Sequence, residues 1–208
     1  MADIKKVAIF DFDGTLTKRD TLLPFLIHCF GISEVLIGLC FFSPFIISYL
    51  LKIYPNDLAK KKIIKYFFKD QKVNEIKKLA TSFINTYSKK NLRKNVIKRL
   101  EWHKNKSHTI ILISASLDIY VRLWGGKNKF DFIEGTILEH KNGIFTGEIL
   151  GNNCYGIEKV KRLNNLFSKD FFNNEIYGYG DGDGDKYFLN LCTHKFWGKD
   201  LNLIKDYS

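Results

Sequence analysis

The chain has 208 residues, enough for one domain or for one core domain carrying a modest insertion. Hydrophobic residues make up 45% and aromatic residues 15%, which excludes intrinsic disorder, and 15 Gly with 3 Pro exclude collagen-like and linker-like chains. The net charge is +11, and residues 52–106 carry most of it, with fifteen Lys and two Arg against four acidic residues.

The amino-terminal residues run directly into the short apolar stretch Val7–Phe10, with neither a long hydrophobic region nor a small-residue cleavage site, so no secretory signal is expected. Lys6–Phe10 reads as a buried strand that stops abruptly at Asp11-Phe12-Asp13-Gly14-Thr15. Residues 17–90 then lack any strand pattern. Thr21–Leu51 has only His28 and Glu34 as ionisable side chains besides cysteine and tyrosine, and Gly31-Ile32-Ser33 reads as a turn, with Pro44 as a kink. This stretch is too short for two membrane crossings, which need about 40 apolar residues. The segments on either side of it belong to one globular unit, so a single crossing is excluded as well. Two readings remain, the buried half of a helical insertion or a segment lying in the membrane interface. Asp57–Lys69 sets Leu58, Ile63, Ile64, Phe67 and Phe68 against a lysine cluster, and Val73, Ile76, Ala80, Phe83, Ile84 and Tyr87 recur at helical spacing.

From residue 91 onward strands and helices alternate. Strands are expected at Thr109–Ile113, Phe132–Leu138, Glu175–Tyr179 and Lys195–Trp197, with helices at 92–103, 116–124, 156–167 and 184–192. Lys141-Asn142-Gly143 reads as a hairpin turn at the side of the sheet. The fold class is therefore α/β, a Rossmann-like parallel sheet with an all-helical cap inserted after the first strand. Residues 1–16 and 91–208 form the expected catalytic core, and 17–90 the cap. The four cysteines, Cys29, Cys40, Cys154 and Cys192, contain no C-x-x-C pair, which excludes a zinc ribbon and suits a reduced, cytoplasmic protein.

Four stations fall at strand ends or helix starts. Asp11 and Asp13 are two carboxylates placed to divide labour between nucleophile and general acid/base. Ser114 ends the second strand with a hydroxyl suited to a phosphoryl oxygen, Lys159 lies in the first turn of a helix, and Asp181-Gly182-Asp183-Gly184-Asp185 follows another strand. In an open parallel sheet the ligand site lies beyond the carboxyl ends of the strands, so the stations converge. The Asp-Gly series does not fit a calcium loop, because the sixth and twelfth positions are Lys186 and Cys192.

These motifs (DFDGTLT, the serine of ILISAS, the lysine of GIEKV and GYGDGDGD) resemble those of the haloacid dehalogenase (HAD) superfamily in order and spacing, over almost the whole chain. The helical insertion after the first motif looks like the cap of the phosphoserine-phosphatase-like branch, subfamily IB. The resemblance implies a phosphatase in which Asp11 is nucleophile, Asp13 general acid/base, and Ser114 and Lys159 phosphoryl ligands. It implies Mg²⁺ as cofactor, with Asp181 and Asp185 joining Asp11 and Asp13 in the metal site. Asp20, at the cap entrance where that branch places a substrate-gripping carboxylate, is a substrate-binding candidate that also suits a helix cap. Ser114-Ala115-Ser116-Leu117 departs from the Ser-Gly-Gly-Phe of phosphoserine phosphatases and looks more like the members that include phosphatidylglycerophosphatase C.

The chemistry supports these roles independently. A carboxylate and a phosphate dianion repel each other, and a hard divalent cation with a lysine relieves that repulsion. The expected function is an Mg²⁺-dependent phosphomonoesterase acting on a lipid or other hydrophobic phosphate, peripheral to the inner face of a membrane through its basic cap. The alternatives are a soluble-metabolite phosphatase such as phosphoserine phosphatase, and a non-enzymatic basic module binding membrane or nucleic acid. Intact acidic motifs argue against the last, and no nucleic-acid partner is expected. Lys60, Lys61 and Lys62 lie far in sequence from the four stations and are expected not to affect hydrolysis of a small soluble ester.

Overall fold

The computed structural model describes residues 6–50, 56–167, 169–202 and 204. Leu51 and Lys52, at the ends of the apolar and basic stretches, lie outside them. Five parallel strands form the central sheet: β1 (Lys6–Phe10), β2 (Thr109–Leu117), β3 (Phe132–Thr136), β6 (Glu175–Gly180) and β7 (His194–Trp197). They lie in the order β3-β2-β1-β6-β7, so β1 is central, pairing Phe10 with Leu112 on one side and Tyr179 on the other. Alternation along β1 sends Val7 and Ile9 to one face and Ala8 and Phe10 to the other, and all four are buried, as a strand covered on both faces requires.

Helices α5 (Lys94–Asn105), α6 (Asp118–Lys127), α7 (Ile157–Leu166) and the short α8 (Lys186–Leu189) accompany the sheet. The expected helix at 184–192 is thus a 3₁₀ turn at Asp183–Asp185 followed by one turn of α-helix. The second strand runs four residues beyond the expected end, carrying Ser114 and Ser116 within it past an irregularity between Ile113 and Leu117. The expected strand Phe132–Leu138 is broken at Ile137. Its last residue begins β4 (Leu138–Lys141), which pairs antiparallel with β5 (Ile144–Ile149) in a separate two-stranded sheet.

Helices α1 (Leu22–Phe30), α2 (Ile32–Leu50), α3 (Asn56–Phe68) and α4 (Val73–Asn91) fill the insertion. Gly31 makes the expected turn with φ of 84°, while α2 runs unbroken through Pro44. The β4–β5 hairpin sits against this helical layer, not beside the main sheet. Asp70 N–H donates to the Phe145 carbonyl, Val73 N–H to that of Gly143, and Lys65 pairs with Glu148 at 2.9 Å. The α4 stripe is buried from Val73 to Ile84 as its spacing predicts, and Tyr87 is half-buried. In α3, Ile64, Phe67 and Phe68 are buried, but Leu58 is exposed.

One apolar cluster runs from the Ala8/Phe10 face of the sheet into the helical layer. Phe25 of α1 meets Phe83 of α4 at 5.2 Å and Tyr120 of α6 at 4.7 Å between ring centroids. Burial of rings of this size contributes about 2–3 kcal/mol each, so the helical layer is anchored over one end of the sheet. Among the described residues no helix is long and apolar enough to cross a membrane.

Candidate active site

The carboxyl ends of β1, β2 and β6 open into a cavity of about 650 Å³ roofed by α1 and α3. Asp11 leaves β1 with its backbone N–H bonded to the Tyr179 carbonyl, and Phe12–Leu16 closes a single wide turn around Gly14, whose φ is 74°. A Cβ on Gly14 would lie 2.0 Å from an Asp181 carboxylate oxygen, so only glycine lets the first motif approach the fourth. At Gly180 a Cβ would likewise strike Asp185.

Asp11, Asp181 and Asp185 each offer an oxygen within 4.8 Å of the others. Lys159, from the first turn of α7, donates to Asp11 and to Asp185, both at 2.6 Å, with all three side chains buried. Asp185 also accepts the backbone N–H groups of Asp181 and Gly182 at 3.0 and 3.1 Å, which fixes the loop. Burial pushes the Asp11 carboxyl well up, the Asp185 charge adds to this, and Lys159 opposes it. Asp181 is raised by burial and by Asp185. Burial works against the Lys159 charge, but Asp11 and Asp185 outweigh it and hold the ammonium protonated. Three carboxylates against one ammonium leave an excess of negative charge on hard oxygen donors, the donor set that Mg²⁺ prefers.

The Asp13 carboxylate turns away from this cluster. One of its oxygens accepts from the Thr21 hydroxyl at 2.7 Å and the other from the Ser116 hydroxyl. Burial raises Asp13 to about 7, assisted by the nearby charge of Asp20 and opposed by the two hydroxyls. Asp20 lines the cavity and also caps α1, accepting the Leu22 N–H at 2.8 Å. Ser114 is buried at the cavity wall, and its Oγ accepts the Ser116 N–H at 3.1 Å.

The structure therefore gathers every sequence-derived candidate around one cavity, with Asp13 outside the three-carboxylate cluster. Asp183 faces solvent and pairs with Lys186, as expected of a turn residue. Lys60 departs from expectation. From α3 it reaches across the cavity to donate to the Ala115 carbonyl and, at 2.7 Å, to Asn153 Oδ1. It was expected to be remote from the chemistry, but it sits beside Ser114, because position 60 falls on the inward side of α3 with Ile64 and Phe67. Sequence reasoning also passed over Thr21, Ser116 and Arg93, whose guanidinium donates to the Gly14 carbonyl at 2.8 Å. Nothing in the local pattern marks Arg93. Ser116 was visible in Ser114-Ala115-Ser116, since residues two apart on a regular strand share a face.

Residues 8–190 match the profile of the haloacid dehalogenase-like hydrolases. The chain belongs to this family. It is 29% identical over 187 residues to Protein CicA of Caulobacter vibrioides (strain NA1000 / CB15N), covering 89% of this chain and 82% of that protein. Among solved structures, a protein of unknown function from Bordetella pertussis Tohama I superposes with a TM-score of 0.79 at 17% identity, over 90% of this chain and 87% of that one. A phosphoserine phosphohydrolase-like protein from Francisella tularensis subsp. tularensis SCHU S4 gives 0.67 at 18% identity, over 92% and 85%. At these identities the structural matches establish the shared fold. The HAD hydrolase places its four motifs around the cavity just described.

Proposed function

We propose that the protein is an Mg²⁺-dependent phosphomonoesterase working through an aspartyl-phosphate on Asp11. The observation that carries this reading is the pairing of a buried Asp11–Lys159–Asp185 cluster with a second acid, Asp13, held apart from it at a pKa of about 7. Asp11, Asp181 and Asp185 are the side chains suited to hold Mg²⁺, which when bound supplies charge neutralisation and orientation of the phosphoryl group.

In the first half-reaction an Asp11 oxygen attacks phosphorus as the ester P–O bond breaks, and Asp13 gives its proton to the departing alkoxide. Lys159 and Ser114 orient and balance the equatorial oxygens. In the second, Asp13 takes a proton from the attacking water. The bond between phosphorus and Asp11 breaks, which releases inorganic phosphate and regenerates the Asp11 carboxylate and the protonated Asp13. Residues 17–90 serve as the cap, and residues 1–16 with 91–208 as the catalytic core.

For the leaving group we favour a lipid or other hydrophobic phosphate. The cap wall of the cavity presents Leu22, Ala59 and Ile63, with Lys60 as the cation among them. A phosphatase assay with Mg²⁺ across soluble and lipid phosphates, with and without detergent and chelator, tests both parts. Chelator-sensitive turnover highest on lipid phosphates supports the reading. Turnover confined to a small soluble ester such as phosphoserine would move the assignment to a metabolite phosphatase, and no phosphatase activity with metal present would remove it.

A further inference from the structure

Over Ile32–Phe42, helix α2 has two apolar faces, and among the described residues only one of them is covered. Val35 and Phe42 are buried. Gly38 packs so closely on α3 that an added Cβ would lie 2.8 Å from the Phe67 ring. On the outer side Ile32, Leu36, Ile37 and Phe41 are 55–70% exposed. A helix that is apolar all round is ordinarily buried or embedded in lipid. The exposed row continues onto α3, where Phe41 stacks on the exposed Tyr66 with ring centroids 6.4 Å apart. Lys61 and Lys65 there, and Lys69 just past its end, recur every fourth residue on the exposed side. Two carboxylates near this face are engaged, Glu34 by the Tyr66 hydroxyl and Glu148 by Lys65.

The geometry points to α2 and the outer side of α3 as a docking surface for an anionic lipid bilayer. The α2 row enters the boundary between headgroups and acyl chains, and the α3 lysines lie among the phosphates. Charge selects this occupant. A second copy meeting the same face would bring two lysine rows together, whereas an anionic surface complements them. Lysine stems also lie along apolar surface while their ammonium groups stay in water, which suits an interface of this composition. The inference stands apart from the phosphatase reading, because docking is measured without any substrate.

The test is flotation of the full chain with phosphatidylcholine vesicles, with and without phosphatidylglycerol in equal proportion. We expect binding to the anionic vesicles only, and release as salt rises to about 1 M, where the Debye length falls to about 3 Å. Leu36→Gln/Ile37→Gln/Phe41→Gln should abolish flotation, and Lys61→Glu/Lys69→Glu should weaken it at least about tenfold. Circular dichroism of each variant should match the parent, since the substituted side chains are exposed. None of these residues lines the cavity, so turnover of a soluble ester should be unchanged. Absence of flotation by the folded parent, equal binding to neutral vesicles, or variants that float like the parent would each overturn the inference. So would a dimer that Phe41→Gln dissociates in a protein that ignores vesicles.

Discussion

Asp11 and Asp13 are two residues apart, and their surroundings differ in kind. Asp11 faces an ammonium and two carboxylates, whereas Asp13 faces two hydroxyls and, at longer range, Asp20. Asp13 acts as an acid only while protonated, so kcat/KM should fall as pH rises through about 7 in the free protein. Asp20→Asn removes a charge that raises the Asp13 pKa, so the alkaline limb should move to lower pH. A pH–rate profile checks this, and an unmoved limb would contradict it. Asp13→Asn should retain metal binding and lose about 10²–10⁴-fold in kcat. Lys60 holds the Ala115 carbonyl and Asn153 from the cap. Hydrogen bonds to a charged group contribute about 1.5–3 kcal/mol, so Lys60→Met should lower kcat/KM by roughly 10- to 150-fold, with partial recovery in Lys60→Arg. Steady-state kinetics on a soluble ester read this directly, and a parental rate in Lys60→Met would separate Lys60 from the reaction.

At the scale of elements, the turn after β1 and the loop after β6 interlock through Gly14. Gly14→Ala should displace Asp181 and weaken Mg²⁺ binding, measured by calorimetric titration, while the sheet stays folded. Behind β6 a second polar chain links Arg99, whose Nε donates to the Tyr179 hydroxyl at 2.9 Å, to His103 Nε2, 2.8 Å from that hydroxyl, and on through His103 Nδ1 to His108 Nδ1 at 2.7 Å. Burial, Arg99 and His108 together lower His103 to about 3. The unfolded chain therefore binds the extra proton below about pH 6.5, and stability should fall by up to about 1.4 kcal/mol per pH unit between there and about pH 3. His103→Gln should flatten that slope in urea unfolding at about pH 5 and about pH 7. Strands β1 and β2 were legible because continuous apolar runs between polar ends have few other solutions. The break between β3 and β4 was not, because Phe132–Leu138 has the strand pattern throughout and the contacts that claim Leu138 come from the distant Ile149. The acidic stations were legible from type and position. Thr21 and Lys60 acquire their partners only when the helical layer folds over the strand ends, and Arg93 only when the start of α5 comes against the turn after β1.

Over the whole molecule, charge and apolar surface are divided between two parts that share one cavity. The sheet supplies carboxylates fixed by strand ends, and the helical layer supplies apolar walls, one inward lysine and an outward face of mixed apolar and basic character. That division explains why a chain of net charge +11 places three acidic side chains at its centre. The reading of this centre as a phosphatase turns on whether Asp11 becomes phosphorylated. The decisive measurement is mass spectrometry of the protein quenched in acid during turnover of a phosphomonoester with Mg²⁺. The account predicts one added phosphoryl group on the peptide containing Asp11, absent in Asp11→Asn and absent without substrate. Turnover with no phosphorylated peptide, or with the phosphoryl group on another residue, would contradict it.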